Sequence, residues 1–294
     1  MKIENLVFSG GGIKGLSFIG CLQYLEESKL INDIKCISGT SIGSLFATLL
    51  TIGYTSYEIK NIFLNIDFNT LQNINLFSIN KKYGLDTGEK FINFIKVLFK
   101  EKNISENITF KELYNKFKID LIITGTNISK QKIEYFNYKN NPDMEIIIAV
   151  RISISVPIVY EYVKYNDNLY VDGGILDDYP IHIFKNNIEN TIGFLIYNYN
   201  KSIDISTFDE YIYSFLFCLL KKVNKLKKEV YIKNTILLEQ DKIGFLDIEI
   251  NKDEKNELIN LGYKRTKNYF IYKKDLEESK KINEINLLLD IINN

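Results

Sequence analysis

Apolar positions crowd into two short runs near the amino terminus, Ile3 to Phe8 and Ile34 to Ile37, and each run is followed by a helical repeat. Unbroken apolar runs of this length read as buried strands. After the first, Leu16, Ile19, Leu22 and Leu25 recur every three positions and predict a helix ending near Ser28. After the second, Ile42 to Ile52 predicts another helix, in which Gly43, Ser44 and Ala47 leave room for close packing on a sheet. Two strand, turn and helix units in succession point to an α/β fold with a largely parallel sheet.

Further along, Thr55 with Glu58, Asp86 with Glu89 and Thr109 with Glu112 have the spacing of a capping box and predict helices starting near residues 56, 87 and 110. Asp120 to Thr126 and Lys132 to Phe136 read as strands and Asp143 to Ser153 as a helix. Asn168 to Val171 reads as a strand running into Asp172-Gly173-Gly174, and Thr191 to Ile196 as the last strand of the main sheet. Beyond about residue 200 the reading is a long helix over Thr207 to Val230, a short strand near Ile236, the segment Gly244 to Ile250 and two lysine-rich helices. No linker composition or internal repeat interrupts the chain. The expectation is therefore one domain over 1–294, a core to about residue 200 and a helical and strand extension over about 201–294, folded as a three-layer α/β/α sandwich with a mostly parallel central sheet.

Composition narrows the function classes. With 46% apolar residues the 294-residue chain has ample material for a core, and 37 basic against 37 acidic residues give no reason to expect a nucleic-acid partner. Cys21, Cys36 and Cys218 lie far apart in apolar stretches, which fits buried reduced thiols and a reducing compartment. The chain starts almost directly on its first strand, without a signal-peptide pattern. Its longest apolar run, Tyr211 to Leu220, is too short to span a bilayer. Lys221, Lys222, Lys225, Lys227 and Lys228 follow that run, so an apolar helix with a basic extension could lie on anionic lipid. A cytoplasmic protein, at most peripheral to membranes, is expected.

The chemistry sits in the turns. Gly39-Thr40-Ser41-Ile42-Gly43 has the G-x-S-x-G spacing that lifts a serine out of a strand-to-helix turn, making Ser41 a candidate nucleophile. Gly10-Gly11-Gly12-Ile13-Lys14-Gly15 occupies the matching turn of the first unit. Successive glycines there allow backbone N–H groups to converge as an oxyanion hole, with Lys14 adding positive charge and Ile42 N–H able to join. The same loop has the G-x-G-x-x-G spacing of a dinucleotide site, so a non-catalytic nucleotide-binding protein stands as an alternative. Two residues compete for the role of base. Asp172 ends a strand ahead of two glycines and can deprotonate a serine if burial raises its pKa. The single histidine, His182, could instead complete a Ser-His-Asp triad. No cluster of metal-ligating residues and no cofactor motif beyond the glycine loop is visible, so no metal or cofactor is expected.

Taken in order, Ser9 to Gly15, Gly39 to Gly43 and Asp172-Gly173-Gly174 resemble the three motif blocks of the patatin-like phospholipases. Weaker similarity continues through Ala149 to Pro157, Pro180 and the tail from Gly244 to Tyr263, with Ile152 and Ser153 where alanine and serine are usual and Asp178-Tyr179-Pro180 in place of an asparagine-proline pattern. The resemblance implies a lipid acyl hydrolase with a Ser41–Asp172 dyad, an acyl-serine intermediate and the Gly10 to Gly15 loop as oxyanion hole. It implies a lipid or membrane-surface substrate and leaves room for a protein activator.

Overall fold

The computed structural model describes residues 2–74, 83–197, 226–240 and 249–293, with positions 211, 214, 215 and 218. The readings for Thr207 to Val230 and Gly244 to Ile250 fall largely outside the described residues.

Strand β1 (Asn5–Phe8) passes through a 3-10 turn (Gly12–Leu16) into helix α1 (Ser17–Glu27), and β2 (Cys36–Gly39) passes through Thr40 and Ser41 into α2 (Ile42–Thr51). β1 lies at the centre of the sheet, parallel to β2 on one edge and to β9 (Thr191–Tyr197) on the other. Alternation along these strands divides the core. Leu6, Phe8, Ile192, Phe194 and Ile196 join the main cluster with α1 and α2, whereas Val7 and Leu195 pack with Tyr179 and Ile181. Burial on both faces is why these strands read as continuous apolar runs. Phe18 of α1 meets Phe8 edge-on at 5.2 Å and Phe46 of α2 at 5.5 Å, pairs that contribute about 0.5–1.5 kcal/mol each beyond their buried area.

The remaining elements are α3 (Ser56–Asn65), β3 (Gly84–Asp86), α4 (Glu89–Glu101), α5 (Phe110–Phe117), β4 (Asp120–Asn127), β5 (Lys132–Phe136), α6 (Ile146–Ser153), β6 (Ile158–Tyr160), β7 (Val163–Tyr165), β8 (Asn168–Asp172), α7 (Gly174–Asp177), β10 (Thr235–Glu239) and α8 (Lys252–Asn293). The main sheet runs β10-β9-β1-β2-β4-β8-β7, with β5 also on β4. It is parallel from β10 to β4 and antiparallel where β5, β8 and β7 join, and helical layers cover both faces. β3 and β6 form a separate parallel pair.

Several expectations change. β9 is not the last strand, because β10 adds outside it in parallel register. The carboxyl-terminal region from Lys252 is one helix rather than two. It lies so close to α1 that a side chain at Gly262 would strike the Ser17 carbonyl and one at Gly20 the Ile259 carbonyl. The capping boxes at Thr55 and Thr109 form, but Asp86 caps nothing. It closes β3, its Oδ1 accepting from Gly88 N–H at 2.7 Å and its Oδ2 from Asn73 N–H at 2.6 Å, and α4 starts after Gly88. α6 begins at Ile146 because the Pro142 and Met144 carbonyls accept the first N–H groups of α5, from Lys111 and Phe110. Cys21 and Cys36 are buried, whereas Cys218 is exposed.

Candidate active site

The reversal from β2 into α2 is made at Thr40 and Ser41. Ser41 has φ 52° and ψ −126°, a region that costs a non-glycine residue about 1–3 kcal/mol and persists only where surroundings enforce it. The enforcement is backbone packing. A Cβ on Gly43 would lie 2.5 Å from the Phe8 and Ser9 carbonyl oxygens, and one on Gly39 would run into Gly43 itself. Thr40 N–H donates to the Phe8 carbonyl at 3.1 Å, the Thr40 hydroxyl donates to the Asp177 carbonyl at 3.1 Å and accepts from Thr124 at 2.8 Å, and Ser44 Oγ donates to the Ser41 carbonyl at 2.6 Å. Ser41 N–H donates to Ser153 Oγ at 2.9 Å. Ile42 N–H opens α2, one of the donors a helix leaves without an intrahelical partner.

Strand register brings Asp172 to the same place. β4 carries β5 along one edge; its other edge carries β2 at Asp120 to Ile123 and β8 at Gly125 to Asn127. β2 runs parallel to β4 and β8 antiparallel, so their carboxyl ends converge head-on. Gly39 sits opposite Ile123 and Asp172 opposite Gly125, two residues apart, about 7 Å along the strand. Thr124 fills the junction, touching Thr40 on one side and leaving no space for a side chain at Gly173 on the other.

Asp172 is buried. Its Oδ1 accepts from Gly174 N–H at 2.7 Å, so the second glycine of the block supplies a donor through its backbone. Its Oδ2 is enclosed and lacks a hydrogen bond of full geometry, although Ser41 is near enough to favour the charged form. Burial dominates and pushes the carboxyl from 3.8 up to about 7, opposed by Ser41 and Gly174 N–H and assisted by the negative charge of Asp178. A carboxylate poised near neutrality, beside a hydroxyl it does not yet grip tightly, can accept that proton and return it.

The glycine loop packs directly on this pair. A Cβ on Gly10 would fall 3.4 Å from Ser41 Cβ and into the Asp178 carboxylate, and a Cβ on Gly15 would strike Ile42. Gly10 N–H already donates to the Asp178 carbonyl at 3.1 Å. That leaves the N–H groups from Gly11 to Ile13, where the loop opens the 3-10 turn, as the candidates for an oxyanion hole, and Lys14 is buried. Neutralising Asp178 as Asp178→Asn removes a charge that raises the Asp172 pKa. The acid limb of any Asp172-dependent pH–rate profile is expected to move to lower pH, and the kcat/KM profile of the variant checks it.

His182 lies in the 3-10 segment Pro180–Asn190, and its partners are not Ser41 and Asp172. Its Nε2 is 3.7 Å from Asp177 Oδ2 and 3.3 Å from the Tyr135 hydroxyl, which donates to that same oxygen at 2.6 Å, and Lys227 pairs with Asp177 Oδ1. Burial lowers the His182 pKa, against the pull of the neighbouring Asp177 charge. Tyr135, Asp177 and Ser153 escaped the sequence reading; for Ser153 the signal was its place in the Ala149 to Pro157 segment, which gave no role.

A family model described as patatin-like phospholipase matches residues 6–185, more than half of the chain. A relative of uncharacterized function from Acanthamoeba polyphaga mimivirus is 31% identical over 284 residues, covering 92% of this chain and 94% of its own. A probable lipid hydrolase of Invertebrate iridescent virus 6 is 38% identical over 185 residues, covering 61% of this chain and 62% of its own. Among solved structures, VipD from Legionella pneumophila superposes with a TM-score of 0.64 at 17% identity, covering 92% of this chain and 67% of that one, which shows a shared fold.

Proposed function

The chain belongs to the patatin-like phospholipase family, and from that premise we propose that it cleaves fatty-acyl esters of lipids through a Ser41–Asp172 dyad and an acyl-Ser41 intermediate. Lipid hydrolysis is the activity the family and the iridescent-virus relative support. The observation that carries the dyad is the convergence of β2 and β8 across Thr124, which brings a serine in a strained elbow to a buried carboxylate with a pKa near neutrality. As Ser41 Oγ attacks the acyl carbonyl, Asp172 takes its proton. The developing oxyanion gathers N–H donors from Ile42 and the loop after Gly10. Asp172 returns the proton to the departing alcohol, and a water then releases the fatty acid from Ser41. A weak acid suffices for this step because an alcohol is a far better leaving group than an amine.

A bilayer substrate has to be met at its surface. Among the described residues no helix is long and apolar enough to cross a membrane. Tyr211 and Phe215, 55% and 57% exposed, support peripheral contact ahead of the lysine-rich stretch of the sequence. The test is fatty-acid release from mixed phospholipid vesicles, together with intact-mass detection of a fluorophosphonate adduct. Wild type is expected to release fatty acid and take up one adduct, and Ser41→Ala to do neither. Turnover by Ser41→Ala would refute the nucleophile.

A further inference from the structure

Helix α6 ends in a turn that holds both members of the pair. Ser153, fully buried, accepts the Ser41 N–H at 2.9 Å, and two residues on the Ser155 carbonyl accepts the Asp172 N–H at 2.8 Å. The elbow and the aspartate come from distant parts of the chain, yet their backbones are indexed to one turn. That turn is itself braced. Arg151 donates from Nε and Nη2 to the Thr87 carbonyl at 3.2 and 2.7 Å, from Nη2 to the Glu161 carbonyl at 3.1 Å, and from Nη1 to the Ser155 hydroxyl, which donates back to the Arg151 carbonyl at 2.5 Å. The guanidinium is accommodated because residue 88 is glycine; a Cβ there would lie 2.6 Å from Arg151 Nε. Asp86, at the end of β3, and Glu161, just after β6, are both buried and act on its charge. The turn cannot shift without breaking several partly buried bonds to backbone carbonyls.

We propose that Ser153 is a positioning residue for the reaction: by accepting Ser41 N–H it sets the orientation of the elbow, and so the approach of Ser41 Oγ to Asp172. This rests on the dyad reading above. Ser41 is held at positive φ, and its N–H is enclosed, so removing the acceptor leaves an unsatisfied buried donor at a residue already under strain. The relief available is a small rotation of the elbow, which carries Oγ away from the unpartnered Asp172 Oδ2. Misplacement on that scale slows turnover without weakening ground-state binding. It also weakens the contact that favours the Asp172 carboxylate, moving the acid limb of the pH profile upward.

The experiment measures kcat, KM and the pH dependence of kcat/KM on p-nitrophenyl butyrate, with fluorophosphonate labelling rates, for wild type, Ser41→Ala, Ser153→Ala and Ser153→Thr. Folding is followed by circular dichroism. Ser153→Ala is expected to lose on the order of 10- to 100-fold in kcat and labelling rate with KM little changed, and to show an acid limb shifted to higher pH. Ser153→Thr, which keeps the hydroxyl, is expected to recover most of the rate. A Ser153→Ala enzyme with wild-type kcat and pH profile overturns the proposal, as does a loss that merely follows the folded fraction or a threonine variant as slow as the alanine one. Turnover and labelling in Ser41→Ala would instead refute the dyad itself, so the two failures are separable.

Discussion

Asp172→Asn is expected to reduce ester hydrolysis by on the order of 10²- to 10⁴-fold while His182→Ala retains turnover. Asparagine keeps the shape of the side chain and the oxygen that receives Gly174 N–H, so the turn after β8 survives the change. What it lacks is a site for the Ser41 proton. Removing His182 takes a ring away from Asp177 and Tyr135, and that group meets the elbow through the Asp177 carbonyl on Thr40. Because Ser41 and Asp172 act in one step, their losses are not additive, and the Ser41→Ala, Asp172→Asn double variant is expected to be no slower than Ser41→Ala alone. Steady-state rates on a chromogenic ester and on phospholipid vesicles check all of this. Loss of turnover in His182→Ala with the fold intact would point to a triad instead.

The parts of this site that were legible in the sequence are those whose cause is local. A serine between two glycines at a strand-to-helix turn announces its conformation, because only glycine at 39 and 43 lets β1, β2 and α2 approach so closely. Asp172 was legible for a similar reason: Gly173 has to leave room for Thr124, and Gly174 supplies a backbone donor. The two-sided burial of β1 and β9 wrote itself into unbroken apolar runs. What escaped depends on partners remote in sequence. Three-residue strands such as β3 and β6 carry no periodicity, and Asp86 followed by Glu89 looks the same whether the aspartate caps a helix or closes a strand. β10 reads as a strand from its own residues, but its place beyond β9 comes from tertiary pairing. Ser153 is one hydroxyl in an apolar helix until Ser41 N–H is seen to point at it.

Activity and stability are expected to respond to pH in opposite directions, with Asp172 responsible for both. As a base it must be ionised, so kcat/KM is expected to fall as pH drops below about 7, the value to which burial raises its pKa. As a folded-state group with a raised pKa it binds its proton more tightly than the unfolded chain does. Between the unfolded value of 3.8 and about 7 the native state holds the extra proton, so the stability Asp172 contributes is complete at low pH and is lost as pH rises through about 7. Above that point the fold encloses a carboxylate whose Oδ2 has no full hydrogen bond, a cost on the order of 4 kcal/mol for a shift of this size. Asp172→Asn carries no such penalty. Its melting temperature is expected to exceed that of wild type at pH 8 and to approach it at pH 4, even though the variant is by far the slower enzyme at both. Thermal unfolding of the two proteins across this range checks the sign: a wild-type advantage that grows with pH would mean that Asp172 is stabilised as an anion, and a base of that kind would not be matched to a serine proton near neutral pH. The stability that asparagine recovers is thus what the native chain forgoes to keep a proton acceptor at the end of β8, the same kind of concession as the positive φ at Ser41.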